Sequence, residues 1–286
     1  MDDFVFGEEL VARFSGFTDW ERFKASLVVA PVKSIRVNTL KTTVSEINSR
    51  LSEDWILTPV PWCPEGFWVE DKKKIRSDLG NIPEHNLGYF FVQEASSMIP
   101  ALVLGPKPGE RVLDMCASPG GKTTQIAQLM QNRGEVVAAD VRDDRIAILK
   151  RNVERMGASC VKVVKKPGQQ FKDEKFDRIL VDAPCSASGT MRGEPDKVAA
   201  WNLDVAKRIS YEQKSLLHAA YCVLKRGGIL VYSTCSMEPE ENEAVIDWLL
   251  KRHKKTEVEK INLPGLNRSQ PILKYGNAKY DPRIGK

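Results

Sequence analysis

The sequence predicts an α/β fold: a doubly wound, mostly parallel sheet preceded by a small α+β unit. Three observations carry this. Short apolar runs alternate with stretches of helical periodicity from residue 111 to about residue 250. The first of these runs leads at once into a turn of small residues, Pro and paired Gly, and then into a helical stretch. Open α/β sheets build a ligand pocket at a strand's carboxyl end in this way. Finally, residues 34–69 hold shorter strand-like runs around one helix, with prolines flanking the strands.

The length of 286 residues accommodates one large domain and one small one. The expected division is an N-terminal α+β domain over residues 1–92 and the parallel-sheet domain over 93–286. A hydrophobic content of 42% and a charged content of 28% are ordinary for a globular protein. No apolar run approaches the length that crosses a bilayer, and the acidic start M-D-D-F-V-F-G-E-E has no signal-peptide layout. No membrane partner is therefore expected. Cys63, Cys116, Cys160, Cys185, Cys222 and Cys235 form no C-x-x-C, and His85, His218 and His253 lie far apart. Neither a metal site nor a disulfide framework is expected, and a reducing cytoplasm is the expected home. The net charge is +5, unevenly spread: residues 1–94 hold 11 basic and 15 acidic side chains, the rest 32 and 23. The positive surplus sits in the larger domain, where it would suit a polyanion.

Phe6, Leu10, Phe14, Phe17, Phe23 and Leu27 recur at helical spacing and predict one or two amphipathic helices. Residues 34–39 read as a strand. Residues 43–51 read as a helix capped at Thr42 or Thr43, with Glu46 in its first turn. Strands are expected at 55–61 and 66–69, and Lys72, Lys73 and Lys74 form a basic tip. Residues 86–88 mark a loop, 93–104 a helix and 105–109 a turn. Strands are then predicted at 111–115, 135–139, 160–164, 177–182 and 229–234. Helices are predicted at 122–130, 143–156 and 201–224, with residues 225–228 as a turn. Pro239 is expected to open a last helix with Glu240, Glu241 and Glu243 in its first turn, as the helix dipole favours.

Residues 111–124 read R-V-L-D-M-C-A-S-P-G-G-K-T-T, and three ligands fit such a turn. A triphosphate loop needs G-x-x-x-x-G-K-[ST]; Gly121, Lys122 and Thr123 supply its end, but Cys116 stands where the first Gly belongs. A dinucleotide site needs G-x-G-x-x-G, which is absent. S-adenosylmethionine needs a tight glycine turn and an acidic residue on the next strand for its ribose, and Asp140 is placed for that. Two further strand ends are unusual: Asp182-Ala183-Pro184-Cys185-Ser186 and Ser233-Thr234-Cys235-Ser236. In a doubly wound sheet all three ends face one crevice. Either cysteine alone is ordinarily a small buried hydrophobe; two, each ending a strand and each followed by Ser, suggest chemistry. Enzymes that methylate exocyclic amines of bases usually carry Asn/Asp-Pro-Pro-Tyr/Phe after the fourth strand, and here the sequence is D-A-P-C. Methylating carbon 5 of a pyrimidine requires a thiolate to add at carbon 6, giving an enamine that attacks the methyl group. Loss of the carbon-5 proton then releases the thiolate. Two cysteines, an Asp and a Lys suit those steps.

D-M-C-A-S-P-G-G-K-T-T, D-A-P-C-S-A-S-G-T and Y-S-T-C-S-M-E-P-E-E-N-E resemble motifs of the Nop2/Sun (RsmB-like) RNA cytosine-5 methyltransferases, in their archaeal, tRNA-type form. R-V-N-T near Arg36 and V-Q-E-A-S-S near Gln93 resemble the same family, so the likeness runs from about Ser34 to Asn242. It implies a Rossmann-like methyltransferase sheet and an N-terminal domain resembling an RNA-recognition fold, although no RNA-recognition aromatic submotif is present. It implies that Cys116, Ala117, Ser118, Pro119, Gly120, Gly121 and Lys122 wrap S-adenosylmethionine. Asp140 would hold the ribose, with Arg145 nearby, and Asp182 would line the site. Cys235 would be the nucleophile and Cys185 would assist product release, with Asp182 and Lys122 completing the catalytic set. DNA cytosine-5 enzymes carry a Pro-Cys nucleophile but lack the second T-C-S cysteine, which points to RNA.

The sequence departs from the pattern twice. Pro167 stands near the place of an acidic residue that meets the adenine, leaving a backbone carbonyl or Gln170 as substitutes. No Gly-Phe-Phe-like antiparallel strand precedes residue 286, so an open sheet edge is expected. The resulting expectation is methyl transfer to carbon 5 of an RNA cytosine, with tRNA the favoured substrate. The alternatives are ribosomal RNA, or a non-catalytic RNA-binding or assembly factor on the same fold.

Overall fold

Ile35 and Val37 alternate with Ser34 and Arg36, so the first strand buries both of its faces, and the N-terminal unit is built around it. The structure, a computed structural model, describes residues 4–73 and 78–285. Two helices come first, α1 (Glu8–Ser15) and α2 (Trp20–Leu27). Then follow β1 (Ser34–Val37), α3 (Val44–Leu51), β2 (Trp55–Pro59), β3 (Gly66–Asp71), α4 (Pro83–Asn86) and β4 (Phe90–Val92). This is the β-α-β-β-α-β order of ferredoxin-like units, and the antiparallel sheet runs β2-β3-β1-β4. Thr43 and Glu46 form a reciprocal capping box at the start of α3. Ile35, Val37, Ile47, Leu51, Trp55 and Phe90 close the core between sheet and helices. Of the predicted basic tip, Lys72 donates to the Ser52 carbonyl and Lys73 approaches Asp54, while Lys74 lies outside the described residues.

The predicted helix over 93–104 is shorter in the structure. Gln93 N bonds Ser34 O and continues the run of β4, Ser96–Met98 form a 3-10 turn, and α5 (Ile99–Leu104) follows with Pro100 in its first turn. β4 itself was not predicted, because three residues carry too little alternation to declare a strand.

The larger domain alternates β5 (Arg111–Asp114), α6 (Gly121–Leu129), β6 (Glu135–Asp140), α7 (Asp143–Met156), β7 (Val161–Lys165) and β8 (Phe176–Asp182). After these come α8 (Pro195–Ala199), α9 (Leu203–Val223), β9 (Leu224–Ser233) and α10 (Glu243–Arg252). All five strands are parallel, in the order β7-β6-β5-β8-β9. Both faces are covered: Leu113, Val137 and Ile179 meet α9, while Val112, Val136 and Leu180 meet α5 and α6. The order reverses between β5 and β8, so the crevice opens at their carboxyl ends.

Two local expectations are corrected. Residues 225–228 are not a turn before the last strand but part of β9. A register shift there accommodates Gly227 at φ +75°, so that Phe176 pairs Leu224 while Arg178 pairs Ile229. The last helix begins at Glu243 rather than at Pro239, because Glu238 and Glu241 turn inward and are fully buried.

Among the described residues no antiparallel strand extends the parallel sheet, and β7 and β9 are its edges. The C-terminal residues instead form a hairpin of β10 (Lys274–Tyr275) and β11 (Ala278–Lys279). Tyr275 packs edge-on to Phe17, with the Arg13 guanidinium over its ring. Arg13 is itself buried and ion-paired to Glu240. Leu10, Phe14 and Leu27 of α1 and α2 pack with Met191, Val198, Trp201 and Met237, against the loops that leave β8 and β9.

The second face of the N-terminal sheet meets α6. Arg36 is fully buried and donates to the side chains of Gln93, Gln128 and Thr124 and to the Gly121 carbonyl. Burial among these uncharged acceptors pulls its pKa down to about 10. Asn38 bonds Gly88 O and Met156 O, and Lys41 bonds Arg155 O, fixing the same sheet to the end of α7.

Candidate active site

The glycine turn joins β5 to α6, and only glycine suits its last bend. Gly120 has φ +108°, and a Cβ there would stand 3.0 Å from Leu149 Cδ1. At the end of β5, Asp114 Oδ2 accepts from Thr123 Oγ1 at 2.7 Å, whereas Asp114 Oδ1 is buried with no partner among the described residues. Burial pushes this carboxyl up to about 6. At the end of β6, Asp140 Oδ1 accepts from Val141 N at 2.8 Å. Asp140 Oδ2 accepts from Ser118 N at 3.3 Å and pairs with Arg145 at 3.2 Å. Arg145 also bonds Ser118 O at 2.9 Å, so the turn, the acidic strand end and the following helix form one tied unit. A cavity of about 170 Å³ lies against this turn. Cys116, Ala117, Ser118, Pro119, Gly121 and Lys122 line one side, Asp114 and Asp182 the floor, and Phe91, Gln93 and Ser97 the other side. Burial and the surrounding carboxylates push the Cys116 thiol far up, so it is a wall and not a nucleophile.

The cysteine site stands at the next two strand ends. Asp182 and Ser233 are register partners, and Ser233 Oγ donates to Asp182 Oδ1 at 2.7 Å. Lys122 reaches from α6 to Asp182 Oδ2 at 2.7 Å and to Ser97 Oγ at 3.0 Å. Just beyond, Cys185 Sγ and Cys235 Sγ are 3.1 Å apart, and Cys235 N lies 3.3 Å from Cys185 Sγ. Cys235 is the exposed member of the pair. The hydrogen bond from Cys185 holds the Cys235 thiol down, at about 7, against burial and the Asp182 charge, with the Lys122 ammonium helping. The same bond, with burial, pushes Cys185 up. The two thiols therefore titrate as one pair: either sulfur can donate in the bond between them, Lys122 favours the thiolate of Cys235, and Cys235 N–H donates to Cys185 Sγ.

The structure therefore brings Lys122, Asp182, Cys185 and Cys235 into one cluster, and Cys116–Gly121, Asp140 and Arg145 into an adjoining one. Pro167 leads into a 3-10 turn, Gly168–Gln170, and Gly168 packs against Leu216 and Met115. Gln170 is exposed on that turn. Sequence reasoning missed two contributions. Phe91, Gln93 and Ser97 close the cavity from the N-terminal side; V-Q-E-A-S-S was the signal for them. Glu238 and Glu241 lie under the cysteine loops. Their signal was E-P-E-E directly after T-C-S-M, of which the stretch from Pro239 onward was read as a helix start.

Residues 101–280 match the family described as 16S rRNA methyltransferase RsmB/F. The chain belongs to this family. Residues 8–95 match the N-terminal domain of 16S rRNA methyltransferase RsmF. The RsmB/F-family chain is 43% identical over 282 residues to the tRNA (cytosine(49)-C(5))-methyltransferase of Pyrococcus abyssi, covering 98% of this chain and 89% of that one. It is 46% identical over 226 residues to the ribosomal RNA small subunit methyltransferase F of Vibrio cholerae, spanning 77% of this chain but only 47% of that protein. The crystal structure of a methyltransferase homologue from Pyrococcus horikoshii superposes with a TM-score of 0.81 at 34% identity, covering 98% of this chain and 92% of that one. Members of this family are RNA cytosine-5 methyltransferases that use S-adenosylmethionine. The cavity suits that cofactor at Asp114, whose unpartnered Oδ1 is a buried acceptor for an ammonium group, whereas Asp140 does not line the cavity and stands behind the turn with its oxygens bound to Ser118 N, Val141 N and Arg145.

Proposed function

We propose that the chain methylates carbon 5 of a cytosine in tRNA through a covalent bond between Cys235 and carbon 6 of the base. The observation that carries this reading is the pair of thiols 3.1 Å apart beside the Lys122–Asp182 ion pair, adjoining the cofactor cavity. In this reading the Cys235 thiolate adds to carbon 6 and makes carbon 5 nucleophilic. S-adenosylmethionine, when bound, supplies the electrophilic methyl group. Cys185 serves the resolving half: the carbon-5 proton is lost and the Cys235–carbon-6 bond breaks. Lys122 favours the thiolate form of Cys235, and Asp182 holds Lys122 in place. For the cofactor, the backbone of Cys116–Gly121 would wrap the ligand, Asp114 would take its ammonium and Asp140 its ribose hydroxyls. Arg145 would fix Asp140.

Near full-length alignment with a tRNA enzyme supports tRNA as substrate. Ribosomal RNA is the second reading, favoured by the N-terminal RsmF match. The positive surplus in residues 95–286 suits either polyanion. The cytoplasm is the proposed compartment, in keeping with six free cysteines; among the described residues no helix is long and apolar enough to cross a membrane. Incubating tRNA and 16S rRNA transcripts separately with labelled cofactor decides the substrate. Label mapped to a tRNA cytosine is expected; label in the ribosomal transcript alone replaces tRNA with the second reading. Normal RNA binding without label in either transcript, and without any adduct, leaves a non-catalytic binding factor.

A further inference from the structure

Glu238 and Glu241 are both fully buried, and neither has an ion-pair partner among the described residues. Their negative charge is met only by neutral donors. Glu241 Oε1 accepts from Ser186 N and Gln213 Nε2, each at 2.9 Å, and Oε2 accepts from the hydroxyls of Ser186 and Ser236. Glu238 Oε2 accepts from Ser188 Oγ and Met237 N, and Oε1 from Trp201 Nε1 at 2.7 Å; Ser236 Oγ stands between Glu238 Oε2 and Glu241 Oε2, and its single proton serves one of them at a time. Ser186 directly follows Cys185 and Ser236 directly follows Cys235, so each cysteine-bearing loop is bound to both carboxylates. The loops come from strand ends some fifty residues apart in sequence, and they touch directly through the thiol contact, Cys235 N to Cys185 Sγ at 3.3 Å, a Ser186–Ser236 hydroxyl contact at 3.2 Å, Met237 N to Ser188 Oγ at 2.8 Å and Gly189 N to Cys235 O at 2.8 Å; the two carboxylates add a second set of ties beneath these. A buried carboxylate without a cation is costly and persists only when several donors face it.

We propose that Glu238 and Glu241 are positioning residues that set the distance between the Cys185 and Cys235 thiols. The site is wired so that a change in either carboxylate moves both loops at once. Trp201 extends the arrangement: its ring packs 5.8 Å from Phe14 of α1, so the N-terminal helices back the same carboxylate. The inference rests on the function proposed above for its meaning, but thiol spacing can be read without any methyl transfer.

Phenylarsine oxide reads it directly. It binds two adjacent thiols and releases one water, with no change of oxidation state at sulfur. The wild-type chain should take up one equivalent across Cys185 and Cys235, mapped by mass spectrometry of the peptides, and Cys185→Ala should lose it. Glu238→Gln and Glu241→Gln keep the side-chain shape but turn one acceptor oxygen into a donor facing other donors. Each should weaken arsenical binding at least tenfold, with S-adenosylmethionine affinity within twofold of wild type. Single-turnover methyl transfer should fall at least tenfold while the KM for RNA stays within twofold. Ser186→Ala and Ser236→Ala leave the acids in place, remove only the hydroxyl bonds to them and should act in the same direction. Unchanged arsenical affinity in folded Glu238→Gln and Glu241→Gln overturns the proposal. If those variants do not fold, unchanged affinity in both serine variants overturns it. A chain whose arsenical binding follows this pattern, yet which methylates no RNA, supports the spacing role and removes the function proposed above.

Discussion

The cofactor end and the cysteine end of the crevice are built differently. The turn that backs the cavity at β5 and β6 is made by local chain. A glycine turn, the strand-end Asp114 and Asp140, and Arg145 five residues after Asp140 are tied together chiefly through backbone atoms of Ser118, Val141 and Arg145. The thiol pair at β8 and β9 is made by side chains brought together from residues 185–188, 201, 213 and 233–242. Short-range construction tolerates loss of one contact, because neighbouring backbone bonds hold the turn. Long-range construction concentrates its geometry in a few acceptors.

The largest expected effect separates the two thiols. Cys235→Ala should give no methylated product and no RNA adduct while still binding cofactor and RNA. Cys185→Ala should allow attack and stall resolution, leaving an RNA–protein adduct that survives denaturing electrophoresis and vanishes in the double variant. The reverse pattern exchanges the two roles. At the cofactor end, Asp140→Ala removes a charged acceptor worth about 1.5–3 kcal/mol and should weaken S-adenosylmethionine accordingly by calorimetry. Phenylarsine oxide uptake should not change in this variant. An effect on both would show that the two ends are not independent.

Asp114 offers a sharper contrast between binding and stability. Its folded pKa of about 6 lies above its ordinary 3.8, so the fold favours the protonated acid. Stability from this group is full below pH 4 and is lost as pH rises through 6. Asp114→Asn keeps an acceptor for Thr123 without the buried charge. Ligand-free, it should gain about 1–3 kcal/mol at pH 7.5, a gain that narrows as pH falls toward 4, while cofactor affinity drops. Melting curves at two pH values check this, and a variant less stable than wild type at pH 7.5 would deny the buried charge. At the cysteine end, the rate of Cys235 alkylation by iodoacetamide should rise through a midpoint near 7. In Cys185→Ala that midpoint should move toward the ordinary thiol value, because the hydrogen bond that stabilises the thiolate is gone. The smallest effect is expected outside both ends: replacing Lys72 and Lys73 by Ala should change the salt dependence of RNA binding by less than about one unit of slope.

The same division decided what the sequence could reveal. The turn at Cys116–Gly121, Asp140 and Arg145 stood within one contiguous stretch, and strand–helix alternation placed Cys185 and Cys235 at neighbouring strand ends. Thr43 and Glu46 announced their capping box through spacing alone. What escaped depends on partners distant in sequence. Glu238 and Glu241 follow a strand and precede a helix, and nothing local says that Ser186, Gln213 and Trp201 will point at them; dipole logic therefore put Glu241 in a helix start and left Glu238 without a role. Phe91, Gln93 and Ser97 were hidden for the same reason. Their role depends on the N-terminal sheet lying against α6, which no periodicity encodes. The 225–228 segment misled because glycines that mark a turn also mark a bulge.

Arg36 carries a consequence for how the molecule comes apart. Its guanidinium bridges the N-terminal sheet and α6 through four uncharged acceptors, three of them on α6, so it loses most of its hydrogen bonds if the two surfaces part and keeps only the more distant attraction of Glu65 on its own side. Opening that seam would strand either a cation in an apolar gap or the side chains of Gln128 and Thr124 without their donor. Partial unfolding along this line is therefore unfavourable, and the two units should melt in a single calorimetric transition. Since α6 is also the helix that begins at the glycine turn, amide exchange in β1 should slow when cofactor binds, although no residue of that strand lines the cavity.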